Sequence, residues 1–491
     1  MAFLLLASST TVGASEVSGQ RIVQTAERGM AMWQIPGMAV AVIDSGEVAL
    51  QQGFGETAAG GVAVDEHTLF ANASTTKAMV VAGLLILADE ERLSLDDPVI
   101  DHLPEVHFHR DALTQQVTIR DLLAHRTGLP RTDFWTFRQL MPLDEQVGKL
   151  RLVEPEAAPR TRLIYQNTMF ELAGLIIERV SGQRWDEFLD EHLWQPIGMR
   201  ETFGTRGQIP GSLQHVMPHA EVDDTVRVVP WDLPADLPDA AGSAWSSIHD
   251  MAIWARFLLR DGVTESGERL ISEDGMAAMF EPHQLATPDD FYPTVKLTDP
   301  NWRTYGLGWF QQDFDGRKID FHTGSLDGLV AMIGLDRAGG RAVVVMANMD
   351  GAELRHALLW DVMDDNQGAA RRDWAADVFN LYRARADEQR DEWAAIEASR
   401  LENTEPSLAL EAYLGTWYSD ILGDIDLRQD ASRLVLSTGM YDYDVSHWHF
   451  DTFLVNYLTW SRGTFASFGI DPEGKAATLD VFGHTFRRPS D

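Results

Sequence analysis

The sequence predicts an α+β fold: an antiparallel sheet flanked by helices, with an all-helical region inserted into it, followed by a small antiparallel β-barrel. Three observations carry that reading. Strand-like apolar runs stand at both ends of residues 20–350, and the stretch between them has helical periodicity. From Tyr413 onward, short aromatic strands alternate with turns at regular spacing. A run dense in Arg, Asp and Glu, residues 366–405, joins the two parts and reads as a charged helix with Trp374, Val378, Leu381, Tyr382 and Trp393 as a sparse apolar stripe. The expected organisation is a first domain over 15–365, a connector over 366–407 and a barrel domain over 408–491.

Taken in order, residues 1–7 are apolar, 8–13 are small and polar, and Val12-Gly13-Ala14 is an acceptable cleavage site before Ser15. Despite the missing basic start, residues 1–14 read as a signal-peptide remnant, which implies a periplasmic or secreted protein. Residues 17–33 have helical spacing, and 37–43 and 47–54 form a hairpin around Asp44-Ser45-Gly46. Residues 78–87 are apolar on every face, so that helix is surrounded by other elements. Residues 117–125 read as a short strand or N-cap followed by a helix, stopped by Gly128-Leu129-Pro130. Residues 131–163 are irregular. Helices are expected at 168–180, 185–193 and 248–259, with a proline-rich loop over 204–240. Strands are expected at 305–310, 319–322, 329–335 and 342–347, then at 415–418, 425–428, 434–436, 447–450, 453–460, 465–470 and 479–482.

Bulk composition narrows the function. The chain has 491 residues, 45% of them hydrophobic, which supports a sizeable core. Lys plus Arg number 40 against 75 Asp plus Glu, a formal charge of −35 that repels nucleic acid and anionic membranes. Acid-rich, Lys-poor composition suits a salty habitat and a GC-rich genome equally. The absence of Cys excludes disulfides, thiolate metal sites and a Cys nucleophile. No run reaches the ~18–20 apolar residues of an integral membrane segment. His102, His107 and His109 share a loop without a carboxylate at tight spacing, so neither a metal nor another cofactor is expected. No Gly-x-Ser-x-Gly occurs, which argues against an α/β-hydrolase.

Chemistry concentrates at the mouth of the buried helix. Ser74 and Lys77, three residues apart, share one face of its first turn. A hydroxyl beside an amine at the positive end of a helix suits a nucleophile–base pair, although a capping Ser with a solvated Lys is the ordinary reading of an isolated Ser-x-x-Lys. Two further triplets weigh against the ordinary reading. Tyr165-Gln166-Asn167 stands just before a helix, and His322-Thr323-Gly324 ends a strand. Each pattern occurs once, in the order Ser, Tyr, His.

On these residues the chain resembles the serine β-lactamase/penicillin-binding superfamily, specifically the class C β-lactamase-like group, which includes D-aminopeptidases, D,D-carboxypeptidases and family VIII esterases. Residues 118–130, Pro196-Ile197-Gly198-Met199, Ala241-Gly242-Ser243 and residues 247–252 are similar to further signatures of that group. His125 falls inside one of them and reads as structural. The resemblance covers residues 20–350, and the tail around His447 to Phe453 looks like the lipocalin-like domain often fused behind such enzymes.

The resemblance implies a β-lactamase/transpeptidase-like fold and a serine hydrolase acting through an acyl-enzyme on small esters, amides or D-amino-acid-containing peptides. Ser74 would attack the carbonyl, with Lys77 and Tyr165 as the base and proton-transfer partners. The backbone N–H groups of Ser74 and Ser325 would form the oxyanion hole. Asn167 would bond the substrate amide and hold Lys77. His322, Thr323 and Gly324 would line the substrate edge. Many members carry Lys where this chain has His322; a neutral imidazole grips a carboxylate poorly and is expected to titrate near neutrality. That argues against efficient β-lactam hydrolysis. Asp327 could receive a substrate ammonium, with turn capping as the competing reading. His447 and His449 pack on a barrel strand or reach the catalytic mouth. The barrel is expected to cover or shape the cleft. The competing function is a penicillin-recognising sensor that acylates without turnover, or a weak β-lactamase or D,D-carboxypeptidase. The partner is a small molecule or short peptide, and oligomeric state is not legible.

Overall fold

Gly37–Asp44 and Arg341–Ala347, β-branched runs from opposite ends of the first domain, pair antiparallel with Val40 opposite Val345. The computed structural model describes residues 18–137, 141–222, 224–231, 233–366, 371–439, 441–456 and 463–489. The expected signal segment and the end of the expected 453–460 strand lie outside the described residues. The central sheet has eight strands in the order Glu47–Gly55, Gly37–Asp44, Arg341–Ala347, Leu329–Asp336, Arg317–Leu326, Phe310–Phe314, Arg303–Tyr305 and Gln284–Leu285. Every pairing in it is antiparallel. Both faces are covered. Val40, Met332 and Val345 face one core with the Gly19–Trp33 and Leu354–Met363 helices, while Ala39, Ile333 and Val344 face the core of the inserted helical region.

The Thr76–Asp89 helix runs through the second core. Thr76 to Leu87 are all buried, including Lys77 at 0% exposure. Each fully buried aliphatic side chain contributes roughly 1.5–3 kcal/mol. Leu84, Leu85 and Leu87 therefore offset the burial of one amine on the same helix. The Asn167–Ser181 helix packs against it and ends at Gly182, whose φ of 82° is the left-handed conformation a helix terminus of this kind requires.

Some elements differ from expectation. The 305–310 strand is two strands separated by a turn through Gly306 and Gly308, the latter with φ 77°. The 204–240 stretch contains a hairpin, His219–Val222 with Thr225–Val228. The 185–193 helix runs from Trp185 to Leu189 and then widens into a π-turn over Asp190–Trp194. The connector is helical over Trp374–Ala398. The tail forms a closed barrel of eight antiparallel strands from Gly415 to Arg487, filled by side chains such as Trp417, Leu427, Phe453, Phe468 and Phe486. Its closing strand, His484–Arg487, was not among the expected ones. No helix among the described residues is long and apolar enough to cross a membrane.

Candidate active site

A short turn places Ser74. The Ala73–Thr75 turn leads directly into the Thr76–Asp89 helix, and Ala73 adopts φ 45°, an unfavourable conformation for a residue with a Cβ. Asn72 holds the turn from below: its N–H donates to Ala244 O at 2.8 Å and its Nδ2 to Ser246 Oγ at 2.9 Å. From the other side comes the Arg317–Leu326 strand. A Cβ on Gly324 would lie 2.4 Å from Asn72 O and 2.9 Å from Ser74 N, so only glycine permits this approach. The close packing brings the backbone following Gly324 beside Ser74, where the two expected oxyanion donors, Ser74 and Ser325, belong.

Lys77 lies under Ser74 Oγ. Its Nζ is 3.1 Å from Ser74 Oγ, 2.8 Å from Asn167 Oδ1 and 2.6 Å from Ala241 O. Burial is the largest influence on it and pulls its pKa down to about 7, against the opposing charges of Asp239 and Asp133. A neutral amine has two donors and one lone pair. Donating to Asn167 and Ala241 leaves the lone pair for the Ser74 proton. The Tyr165 hydroxyl hydrogen-bonds with the Ser74 side chain, and burial pushes its pKa far above that of a free phenol. Of the two groups at Ser74, Lys77 is therefore the available base and Tyr165 an available acid.

His125, at the end of the Ile119–Leu123 helix, steadies Tyr165. Its Nδ1 accepts the Gln166 N–H at 3.1 Å, and its ring stands 4.2 Å from the Tyr165 ring. Asn167 opens the next helix and spans two groups: its Oδ1 accepts from Lys77, and its Nδ2 donates to Asp133 Oδ1 at 3.0 Å. One of its amide hydrogens is thus committed within the protein.

His322 departs from the sequence expectation. It is 1% exposed, its Nδ1–H donates to Thr323 O at 2.6 Å, and its Nε2 accepts from the Tyr305 hydroxyl at 3.0 Å. Burial, with the charge of Lys77 second, pushes its pKa down to about 3. It is neutral, as expected, but it does not titrate near neutrality, because no solvent or anion stabilises an imidazolium there. Thr323 shares a hydrogen bond with the Tyr292 hydroxyl. Ser325 is exposed at the cleft, and its Oγ accepts from Arg355 Nη1 at 3.0 Å. The same nitrogen holds Gly324 O at 2.5 Å, while Glu353 takes the other side of the guanidinium at 3.1 Å. Asp327 sits in the following turn, before Gly328 with φ 78°. It lines the cleft with Asp350, whose pKa is raised to about 6 by burial first and the Asp327 charge second.

The cleft has a volume of about 1660 Å³ and is bounded by both domains. Ser74, Tyr165, Asn167, His322, Thr323, Ser325 and Asp327 line one side, and Ile421, Leu422, Thr464, Phe482, Gly483 and His484 of the barrel line another. Trp135 Nε1 donates to Ile421 O at 3.0 Å, Lys149 Nζ to Asp420 O at 2.8 Å, and the Phe134 and Phe482 rings stand 5.1 Å apart. His447 and His449 are not in the cleft wall; His447 Nε2 bonds Phe450 O at 2.9 Å. Among the described residues, no group of three or more His, Cys, Asp or Glu side chains is arranged to hold a metal. Sequence reasoning missed Asp133, Glu171, Asp239 and Arg355. Glu171 alone left a signal, as a charge within the apolar run Met169-Phe170-Glu171-Leu172-Ala173.

Residues 22–366 match the family described as Beta-lactamase, and residues 399–488 match one described as a domain of unknown function. The chain is 28% identical over 441 residues to unguisins hydrolase ungD of Aspergillus violaceofuscus, a match covering 82% of this chain and 75% of that protein. It is 25% identical over 352 residues to protein flp of Staphylococcus aureus, covering 68% of this chain and 64%, less than two thirds, of that one. In three dimensions it shares the fold of the octameric penicillin-binding protein homologue from Pyrococcus abyssi, with TM-score 0.59, 19% identity, and coverage of 96% and 99%. A D-stereospecific amidohydrolase from Streptomyces sp. superposes with TM-score 0.56, 23% identity, and coverage of 70% and 99%.

Proposed function

The chain belongs to the beta-lactamase family of serine hydrolases, and we propose that it cleaves small esters, amides or D-amino-acid-containing peptides through an acyl-enzyme on Ser74. The observation that carries this reading is the Lys77 amine, buried, held near neutrality and 3.1 Å from Ser74 Oγ. As the free base, Lys77 takes the Ser74 proton while Oγ attacks the substrate carbonyl. The N–H groups of Ser74 and Ser325 receive the developing oxyanion. Tyr165 gives a proton to the departing alkoxide or amine and regains one from the Lys77 ammonium, whose Nζ is 5.1 Å from the centre of its ring. The acyl-oxygen bond formed to Ser74 is then cleaved by water.

The absence of a cation at position 322 supports substrates without an obligatory carboxylate. Asp327, with Asp350 beside it, suits a substrate ammonium. The barrel gives the cleft an apolar wall that includes Ile421, Leu422 and Phe482. The relative named as an unguisins hydrolase supports a hydrolytic reaction, and the neighbour named as a D-stereospecific amidohydrolase keeps amide bonds among the candidates. A panel of p-nitrophenyl esters, D- and L-aminoacyl anilides and nitrocefin sorts these classes. Turnover is expected with esters or D-aminoacyl anilides, slow or no turnover with nitrocefin, and a loss of about 10³-fold or more in Ser74→Ala. Retained turnover in Ser74→Ala on the best substrate contradicts the mechanism.

A further inference from the structure

Two acids lie behind Lys77 that the scheme above does not use. Glu171 follows Asn167 by one helical turn, Asp239 precedes Ala241, and the two residues are 7% and 2% exposed. Asp239 Oδ1 accepts the Ala241 N–H at 2.6 Å, and the Ala241 carbonyl accepts from Lys77 at 2.6 Å. Ala241 thus connects the acid to the base, with its N–H on Asp239 and its carbonyl on Lys77. The loop is fixed further by Ser243, whose Oγ accepts the Asp239 N–H at 2.9 Å and donates to Gly204 O at 2.6 Å. Asp239 Oδ2 is buried, and among the described residues no N–H group reaches it. What faces it is the Glu171 carboxyl, which also meets the Ala240 N–H. Two desolvated carboxylates in contact do not both ionise. Burial, with the Asp239 charge second, holds Glu171 well above the usual carboxylate range.

We propose that Glu171 and Asp239 form a one-proton acid pair that positions Lys77 through the backbone of Ala241 and keeps one negative charge beside it, setting the pH at which Lys77 becomes a base. The inference rests on Lys77 being the general base. Both acids are positioning residues, since neither lines the cleft. The other groups facing Lys77 are Asp133 and Arg131 from the 131–133 loop, His125 from the end of its helix, Tyr165, and His322 on the strand. Burial keeps His125, His322 and Tyr165 uncharged. The neighbouring fixed charges are then the acid pair and the mutually paired Arg131 and Asp133, 2.6 Å apart.

The test is the pH profile of kcat/KM for the full-length protein and its Glu171→Gln, Asp239→Asn and double variants. Glu171→Gln leaves Asp239 to hold the charge, whereas in Asp239→Asn burial still holds Glu171 protonated and the charge is lost. The acid limb of Glu171→Gln is expected within about 0.3 pH units of the original, and that of Asp239→Asn is expected to move with the double variant. The double variant loses the charge, and its acid limb is expected to move down by about one unit or more, roughly a tenfold relative gain below the limb. An unmoved limb in a folded double variant, or a Glu171→Gln variant that moves as far as the double, overturns the proposal. Lys77→Ala run alongside separates the two claims: if it keeps activity and the same limb, the assignment of Lys77 fails instead. Should the double variant not fold, infrared spectra of the original protein at neutral pH decide. A buried protonated-carboxyl band that Glu171→Gln removes supports the pair, and no such band overturns it.

Discussion

A phenol and an amine both lie against Ser74, and burial acts on them in opposite directions. Burial raises the proton affinity of Tyr165 and lowers that of Lys77 to about 7. A base must be unprotonated, so activity belongs to the form of Lys77 present above that pH. We predict an acid limb in kcat/KM near pH 7, falling about tenfold per pH unit below it. His322, pushed down to about 3, contributes nothing in that window. His322→Asn should leave the limb in place, and a limb that disappears with His322 would reassign it. The sequence made Ser74, Lys77, Tyr165 and Asn167 legible because their spacing is local. Asp133 and Arg355 were not legible, since each meets its partner only after distant segments fold together, and Asp239 was not, since its local bond to the Ala241 N–H matters only once the Ala241 carbonyl meets Lys77. The titration range of His322 was misjudged because a short motif carries no information about burial.

At the scale of elements, the proposed catalysis depends on a strand edge pressed against a helix start. The strand is held by Arg355 on Gly324 O and Ser325 Oγ, and the turn by Asn72 on Ala244 and Ser246. Gly324→Ala puts a methyl 2.8 Å from Ala73 Cβ and 2.9 Å from Ser74 N, so the strand must withdraw. We expect kcat to fall about 10²–10³-fold, the size of losing an oxyanion donor, with near-native circular dichroism. Full activity would mean that the strand edge does not serve the oxyanion. The long apolar helix and the terminal strands were legible because their patterns are strong. The hairpin over residues 219–228 was not, because it lies among prolines and its second strand is largely exposed. Gly306 and Gly308 were part of an apolar run, and the turn they form appears only in the register of the neighbouring strands.

Across the whole molecule, the closing of the sheet from both chain ends and the presence of a barrel were legible from apolar runs and their spacing. The closing strand was missed because His484–Arg487 is short and presents only Phe486 inward. The docking of the barrel on the cleft was expected from the fusion alone; the residues that make it, Ile421, Phe482, Phe134 and Trp135, meet across domains and carried no signal of their own. If the barrel shapes the substrate site, the double variant Ile421→Ala/Phe482→Ala should raise KM for bulky apolar substrates about tenfold while a small acetyl ester is turned over normally, as expected for losing ~1–3 kcal/mol of apolar contact. Equal effects on both substrates, or none, would remove the barrel from substrate selection.

The central claim is an acyl-enzyme on Ser74 that turns over. Quenched-flow mass measurement of the intact protein with an activated ester tests it most directly. The account predicts a single acyl mass increment that maps to Ser74, forms only above the Lys77 transition and decays at a rate matching kcat. An increment on another residue, or none during turnover, would contradict it; an increment that persists on Ser74 would make the protein a sensor in place of a hydrolase.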